Sequence, residues 1–354
     1  MGRGITLMAQ LGRALFAPAT GDTLTLSQPP PRGGRRMARR VKVRRVILIV
    51  FSGLALAIAG LGLYSLIWDS PQPPVVDEPV APVQAAKPVG TNEFTQLAET
   101  DPVGMFRACL SSYAEKAKGF TAVLEKQERV AGTLHKREII RITVWGEVSE
   151  PNGVPPAIHV RMIWEKGFRK DTFGSTVHGS LYPAGEHANQ ITVYRPDAWI
   201  KEWAIDSKGS LARNASRFCI RDSGIYRGML RTYDAWNKRH EAGELKTEYL
   251  GIKRIEQTGN RECHVIRRIC RQPEADRFSL DEEASTDPKV IARDGFSEVT
   301  VMIDVEKRLH LGTILRQANG ELIGEYYFRD VQLLVTEPPP ETFTVAGLIA
   351  ATKS

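Results

Sequence analysis

From residue 120 to residue 335 the apolar side chains fall at every second position in segment after segment, the spacing of extended strands with one buried face. Residues 120–130 and 137–147 flank a turn around Gly132, while Ile158, Val160, Met162 and Trp164 line one side of a third strand. Strands are expected again at 190–194, 199–204, 248–257 and 261–271, the last two joined through Gly259-Asn260. Val299, Val301, Ile303 and Val305, then Leu309, Leu311, Thr313 and Leu315, then 322–335 read as a meander with a tight turn at Asn319-Gly320. The polar, acidic stretch 272–294 reads as a loop or flap.

Helical spacing is convincing in two places. Thr100 and Asp101 offer caps before Pro102, and Val103, Phe106, Cys109, Leu110, Tyr113 and Ala117 recur at three- and four-residue steps until Gly119. Over 223–240, Ile225, Met229, Tyr233 and Trp236 share a face. The class is therefore α+β, and 100–347 is long enough for one sizeable core. A long antiparallel sheet with two helices must bury a face beneath them or close on itself. Incomplete cover leaves a groove for a hydrophobic ligand.

Residues 46–68 carry no charged side chain, and as a helix rising about 1.5 Å per residue they cross a hydrocarbon core of about 30 Å. Arg36, Arg39, Arg40, Lys42, Arg44 and Arg45 precede the run, so the positive-inside rule keeps the N-terminus in the cytoplasm. A cleaved signal matches less well, because the run is long and ends in Leu66, Ile67 and Trp68. The expected protein is anchored in the inner membrane by this single pass, with its C-terminal domain periplasmic. Residues 1–45 read as a disordered basic cytoplasmic segment containing an alternative start at Met37. The span 69–99, with Pro71, Pro73, Pro74, Pro79, Pro82 and Pro88, reads as an extended linker, and 348–354 as a tail. Of 48 Lys and Arg, ten precede residue 69, together with one of 41 acids, so the exported part holds 38 basic and 40 acidic residues. The net charge of +7 thus belongs to the anchor's flank and argues for anionic lipid and topology, not nucleic acid.

Known catalytic patterns are missing from the exported sequence. His135, His159, His178, His187, His240, His264 and His310 have no HExxH or other metal spacing, and there is no GxSxG elbow, phosphate loop or dinucleotide fingerprint. Cys263 and His264 adjoin, but neighbours on a strand point to opposite faces. Glu128-Arg129 reads as a paired or solvated strand end. No enzyme activity, metal or cofactor is expected. Cys263 and Cys270 lie an odd interval apart and so face opposite ways on one strand, while Cys109 on the helix's apolar face reads as a buried thiol.

The stretches FTAVLEKQERVAGTL at 120–134, RFCIRDSGI at 217–225, Arg261-Glu262-Cys263-His264 and GEYYFRDVQLL at 324–334 resemble a planctomycete-type exported family of unknown function. That family is similar in turn to the bacterial outer-membrane lipoprotein-carrier fold. The resemblance spans nearly all of 100–345, and Cys219 departs from it where proline is usual. It implies a strongly curved antiparallel sheet, a half-barrel, with helices on the concave side. It also implies binding of a lipid or a lipoprotein acyl chain. Such a chain offers only burial, about 0.8 kcal/mol per methylene, so the groove candidates are Trp145, Met162, Trp164, Trp199, Trp203, Met302, Tyr326 and Phe328. Each is placed by strand parity, which a different pairing would reverse. The alternative is an envelope-sensing or protein-interaction module of the same fold.

Overall fold

Asp101 and Pro102 begin the first long helix as their order predicts: Asp101 Oδ1 accepts the Gly104 N–H at 2.8 Å, and α2 runs Pro102–Lys116. Another helix precedes it. α1 spans Thr91–Thr100, where the linker was expected to continue, because these residues lack proline and set Phe94 and Ala98 four apart on a buried face. The computed structural model describes residues 90–148, 158–171, 173–182, 189–274 and 288–354. The 46–68 run, the segment before it and the linker up to residue 89 lie outside these. Among the described residues no helix is long and apolar enough to cross a membrane.

Twelve strands follow among the described residues: β1 Gly119–Val130, β2 Thr133–Leu134, β3 Glu138–Trp145, β4 His159–Lys166, β5 Gly179–Tyr182, β6 Gln190–Tyr194, β7 Glu202–Asp206, β8 Thr247–Ile255, β9 Arg261–Glu274, β10 Phe296–Asp304, β11 His310–Arg316 and β12 Leu322–Leu334. They form one antiparallel sheet in the order β7-β6-β5-β4-β3-β1-β12-β11-β10-β9-β8, with β2 paired to β1. The sheet is curved and stays open, since edge strands β7 and β8 do not meet. Asn260 and Gly259 between β8 and β9 hold φ of 59° and 78°, which is why asparagine and glycine stand at this turn. The strand expected at 199–204 begins instead at Glu202, after a turn. Between β7 and β8 come α3 Ser210–Ala215 and the long α4 Ile225–Glu241. The stretch read as a flap contributes the end of β9 and a short helix, α5 Pro288–Asp294.

α2 and α4 pack on one face of the sheet, Phe106 meeting Trp236 edge to face at 5.2 Å above Ile140, Ile142, Val301 and Leu315. Two smaller clusters cover parts of the other face. One seats Leu348 against Ile163, Leu181 and Tyr194, so α6 Val345–Ala351 includes part of the expected tail. The other gathers Cys263, Val265, Met302 and Tyr327. All four cysteines are buried and outside any disulfide, and Cys263 and Cys270 fall in clusters on opposite faces, as their odd spacing requires. The described residues all belong to the unit Asp77–Ser354, which contains this complete core and has the anatomy of a domain that folds alone.

Candidate functional site

Strand β1 buries Phe120, Ala122 and Leu124 beneath the helices, and the same parity then carries Lys126 and Glu128 inward. Here the helices cease to fill the face. A cavity of about 650 Å³ lies between the sheet and the first half of α4, reached by Ile225, Gly228 and Arg231. A Cβ built on Gly228 would meet nothing within 4 Å, so this glycine leaves room that a larger residue would occupy.

The walls differ in character. Met162, Trp164, Val193, Trp203 and Ile205 give an apolar side built from β4, β6 and β7. Toward β1 and β12 the wall is charged. Lys126 stands opposite Glu138 on β3 and opposite Tyr326 on β12. Its ammonium lies 2.9 Å from Glu128 and 3.3 Å from Glu138. Arg169, from the segment after β4, reaches Glu128 at 3.2 Å and also pairs with Glu138. Glu128 accepts further hydrogen bonds from the Tyr326 hydroxyl at 3.0 Å and the Ser216 hydroxyl at 3.2 Å. Burial alone would raise the Glu128 pKa, but Lys126 and Arg169 more than reverse this and hold it down to about 2. Glu128 is therefore an ionised part of the wall, within a quartet of two cations and two fully enclosed carboxylates.

Another enclosed carboxylate, Glu147, lies beside Gly224 at the start of α4. The Tyr113 hydroxyl donates to Oε1, and the backbone N–H groups of Tyr226 and Arg227 donate to Oε2 at 3.1 and 3.4 Å. Burial raises its pKa, and these donors offset only part of the rise, leaving it at about 7. His310 also lines the cavity, 3.0 Å from the Gly312 carbonyl, and burial lowers its pKa to about 4, so it is neutral at physiological pH. Among the described residues no three of His, Cys, Asp and Glu converge as a metal site.

Five of the eight groove candidates, Met162, Trp164, Trp203, Tyr326 and Phe328, line this one cavity. The other three are corrected. Ile140, Ile142 and Val144 take the helix-covered face of β3, which leaves Trp145 half-buried on the opposite side. Val299, Val301 and Ile303 do the same on β10, turning Met302 to the far face against Tyr327. Trp199 lies in the turn before β7 and is 100% exposed. Sequence reading missed Arg169 and Ser216, which arrive from loops. It read Glu128 as a paired or solvated strand end, and the structure shows it paired and fully buried. The signal was present in the phase of β1, where Lys126 and Glu128 share parity with Phe120.

A family model described as "Protein of unknown function (DUF1571)" matches residues 117–338. No curated protein matches the chain in sequence. Solved structures similar to it include the Pseudomonas aeruginosa MucA/MucB complex, at 10% identity and TM-score 0.36, over 70% of this chain and 62% of that one. Lipoprotein LppX of Mycobacterium tuberculosis is similar at 10% identity and TM-score 0.32, over 65% of this chain and 93% of that one. A LolA superfamily protein of Nitrosomonas europaea follows at 8% identity and TM-score 0.23, over 68% and 98% of the two chains.

Proposed function

The chain belongs to the DUF1571 family, whose model spans the sheet from β1 to β12 and so encloses the cavity, and on that premise we propose a non-enzymatic module that holds a lipid-like ligand. The observation that carries this reading is the cavity of about 650 Å³ with a continuous apolar side, within the range that accommodates small ligands. The 46–68 run and its basic flank support a single-pass anchor with the folded unit outside the cytoplasm. Tethering suits a module that takes its ligand from, or presents it to, a nearby membrane.

Mass spectrometry of organic extracts from purified Asp77–Ser354 tests the reading. Acyl-bearing species are expected in near-stoichiometric amount, and Gly228→Leu, which projects into open space at a helical position, is expected to reduce them severalfold without loss of helix. An extract without lipid from a folded unit that also takes up no added fatty acid overturns it. A second reading, a module that docks a protein partner, draws on Trp199, Ile200 and Phe173, which are 100%, 62% and 74% exposed. The lipid-free outcome would favour that one.

A further inference from the structure

We propose that one end of the sheet docks on a bilayer surface, so that the cavity opens directly onto the membrane from which its ligand comes. This deepens the lipid-ligand reading and rests on it. The β1–β3, β4–β5 and β6–β7 connections all lie at that end, because neighbouring strands alternate in direction along the path. Of the eight large hydrophobic side chains exposed among the described residues, five fall on these three connections: Leu134, Phe168, Phe173, Trp199 and Ile200. Single exposed apolar residues are ordinary, but a gathering at one tip marks a contact surface.

The tip is held out rigidly. Asp171 Oδ1 accepts the N–H groups of Phe173 and Ser175 at 2.9 and 2.8 Å, the Ile200 carbonyl accepts from Arg195 at 2.8 Å, and Asp197 accepts the Thr176 N–H at 3.0 Å, tying the two loops together. A protein partner would have to supply a pocket shaped to these protruding side chains. A bilayer interface takes them as they are, since tryptophan and phenylalanine partition into the boundary between head groups and chains. On the same connections Lys136, Lys170 and Lys201 are exposed, with no ion-pair partner among the described residues, against the exposed Asp197 and Glu202, a small surplus that suits anionic lipid.

The cavity reaches the surface at this tip. Phe168, Lys136 and Lys170 both line it and are exposed, and Phe173 meets the ring of the cavity-lining Trp203 at 5.5 Å. An acyl chain leaving a bilayer here passes along aromatic rings to the apolar side of the cavity without crossing water. The tether permits the approach. Residues 69–89, 21 in all, can span up to about 65 Å in polyproline form, more than the roughly 50 Å width expected of a unit this long.

Co-sedimentation of Asp77–Ser354 with vesicles measures docking, and uptake of hexadecanoic acid from solution measures the cavity separately. Vesicles of equal parts phosphatidylcholine and phosphatidylglycerol are expected to bind the unit. Phosphatidylcholine alone should bind severalfold more weakly, and added salt should remove only that difference. Phe173→Ser, Trp199→Ser and Ile200→Ser combined should weaken docking about tenfold or more and leave hexadecanoic acid uptake unchanged. Val335→Ser, 70% exposed but just past β12 at the opposite end, should change neither. Brominated phosphatidylcholine should quench the tryptophan emission of the unit, and Trp199→Phe should remove most of that quenching. Absence of vesicle binding, binding that survives the combined substitution, or binding that high salt abolishes overturns the docking surface. The cavity reading then stands on uptake alone, and the exposed rings are left to a protein partner. Vesicle binding by a folded unit that takes up no fatty acid overturns the cavity reading, and the entry route with it.

Discussion

Glu128 and Glu147 are both wholly enclosed carboxylates on the helix-covered side of one sheet, yet they sit in opposite electrostatic states. Glu128 faces an ammonium and a guanidinium and stays ionised down to about pH 2. Glu147 faces a phenol and two backbone amides, and ionises only at about pH 7. Dipoles at a helix start lower the cost of an enclosed charge without cancelling it, whereas whole countercharges cancel it. Two carboxyl groups with equal burial thus have different tasks. One is a permanent ionic strut in the cavity wall; the other is a neutral plug at α4 that charges as the pH rises.

Removing a countercharge should have the largest effect. Lys126→Met leaves Glu128 and Glu138 to Arg169 alone, and an expected loss of about 3 to 5 kcal/mol should appear in urea unfolding of Asp77–Ser354. A loss below about 1 kcal/mol, typical of an exposed pair, would erase the contrast. The next effect is one of pH. Because the folded pKa of Glu147 is raised, its contribution is fully present below the ordinary carboxylate range and is lost as pH rises through about 7. Glu128 behaves oppositely, its contribution being lost as pH falls toward about 2. Wild type should therefore lose about 3 kcal/mol relative to Glu147→Gln between pH 4.5 and pH 7.5. Parallel stability profiles for the two would refute the assignment. Smallest is the loss of one hydroxyl. Tyr113→Phe should cost about 1 kcal/mol and move the Glu147 midpoint upward. Tyr326→Phe, by contrast, should leave Glu128 ionised at pH 4, as followed by carboxyl NMR.

Much of this arrangement can be read in the residues, and the boundary of that reading is instructive. Asp101-Pro102 and the turns at Gly259-Asn260 and Asn319-Gly320 are local devices whose chemistry acts over a few residues, so they are legible. Parity placed Met162, Trp164, Tyr326 and Phe328 on the cavity side because their strands are long and regular. It failed for Trp199 because the chain turns there, and for Met302 and Trp145 because branched aliphatic neighbours claimed the helix-covered face. The ion quartet depends on Arg169 and Ser216, which are 41 and 88 residues from Glu128. No periodicity encodes a meeting over that distance. Charged residues at buried parity were the available hint, since Lys and Glu are almost never fully buried unless paired.

The seating of Lys126 between Glu138 and Tyr326 also bears on how the chain assembles. If β1 joined β3 one step out of place, Lys126 would swing to the far side and Glu125 or Gln127 would enter beside Glu138. Two steps out, Glu128 or Leu124 would stand directly across from Glu138, giving either repulsion or a stranded carboxylate. The cluster therefore proofreads strand pairing at the centre of an open eleven-strand path, where hydrophobic side chains alone would tolerate a mistake.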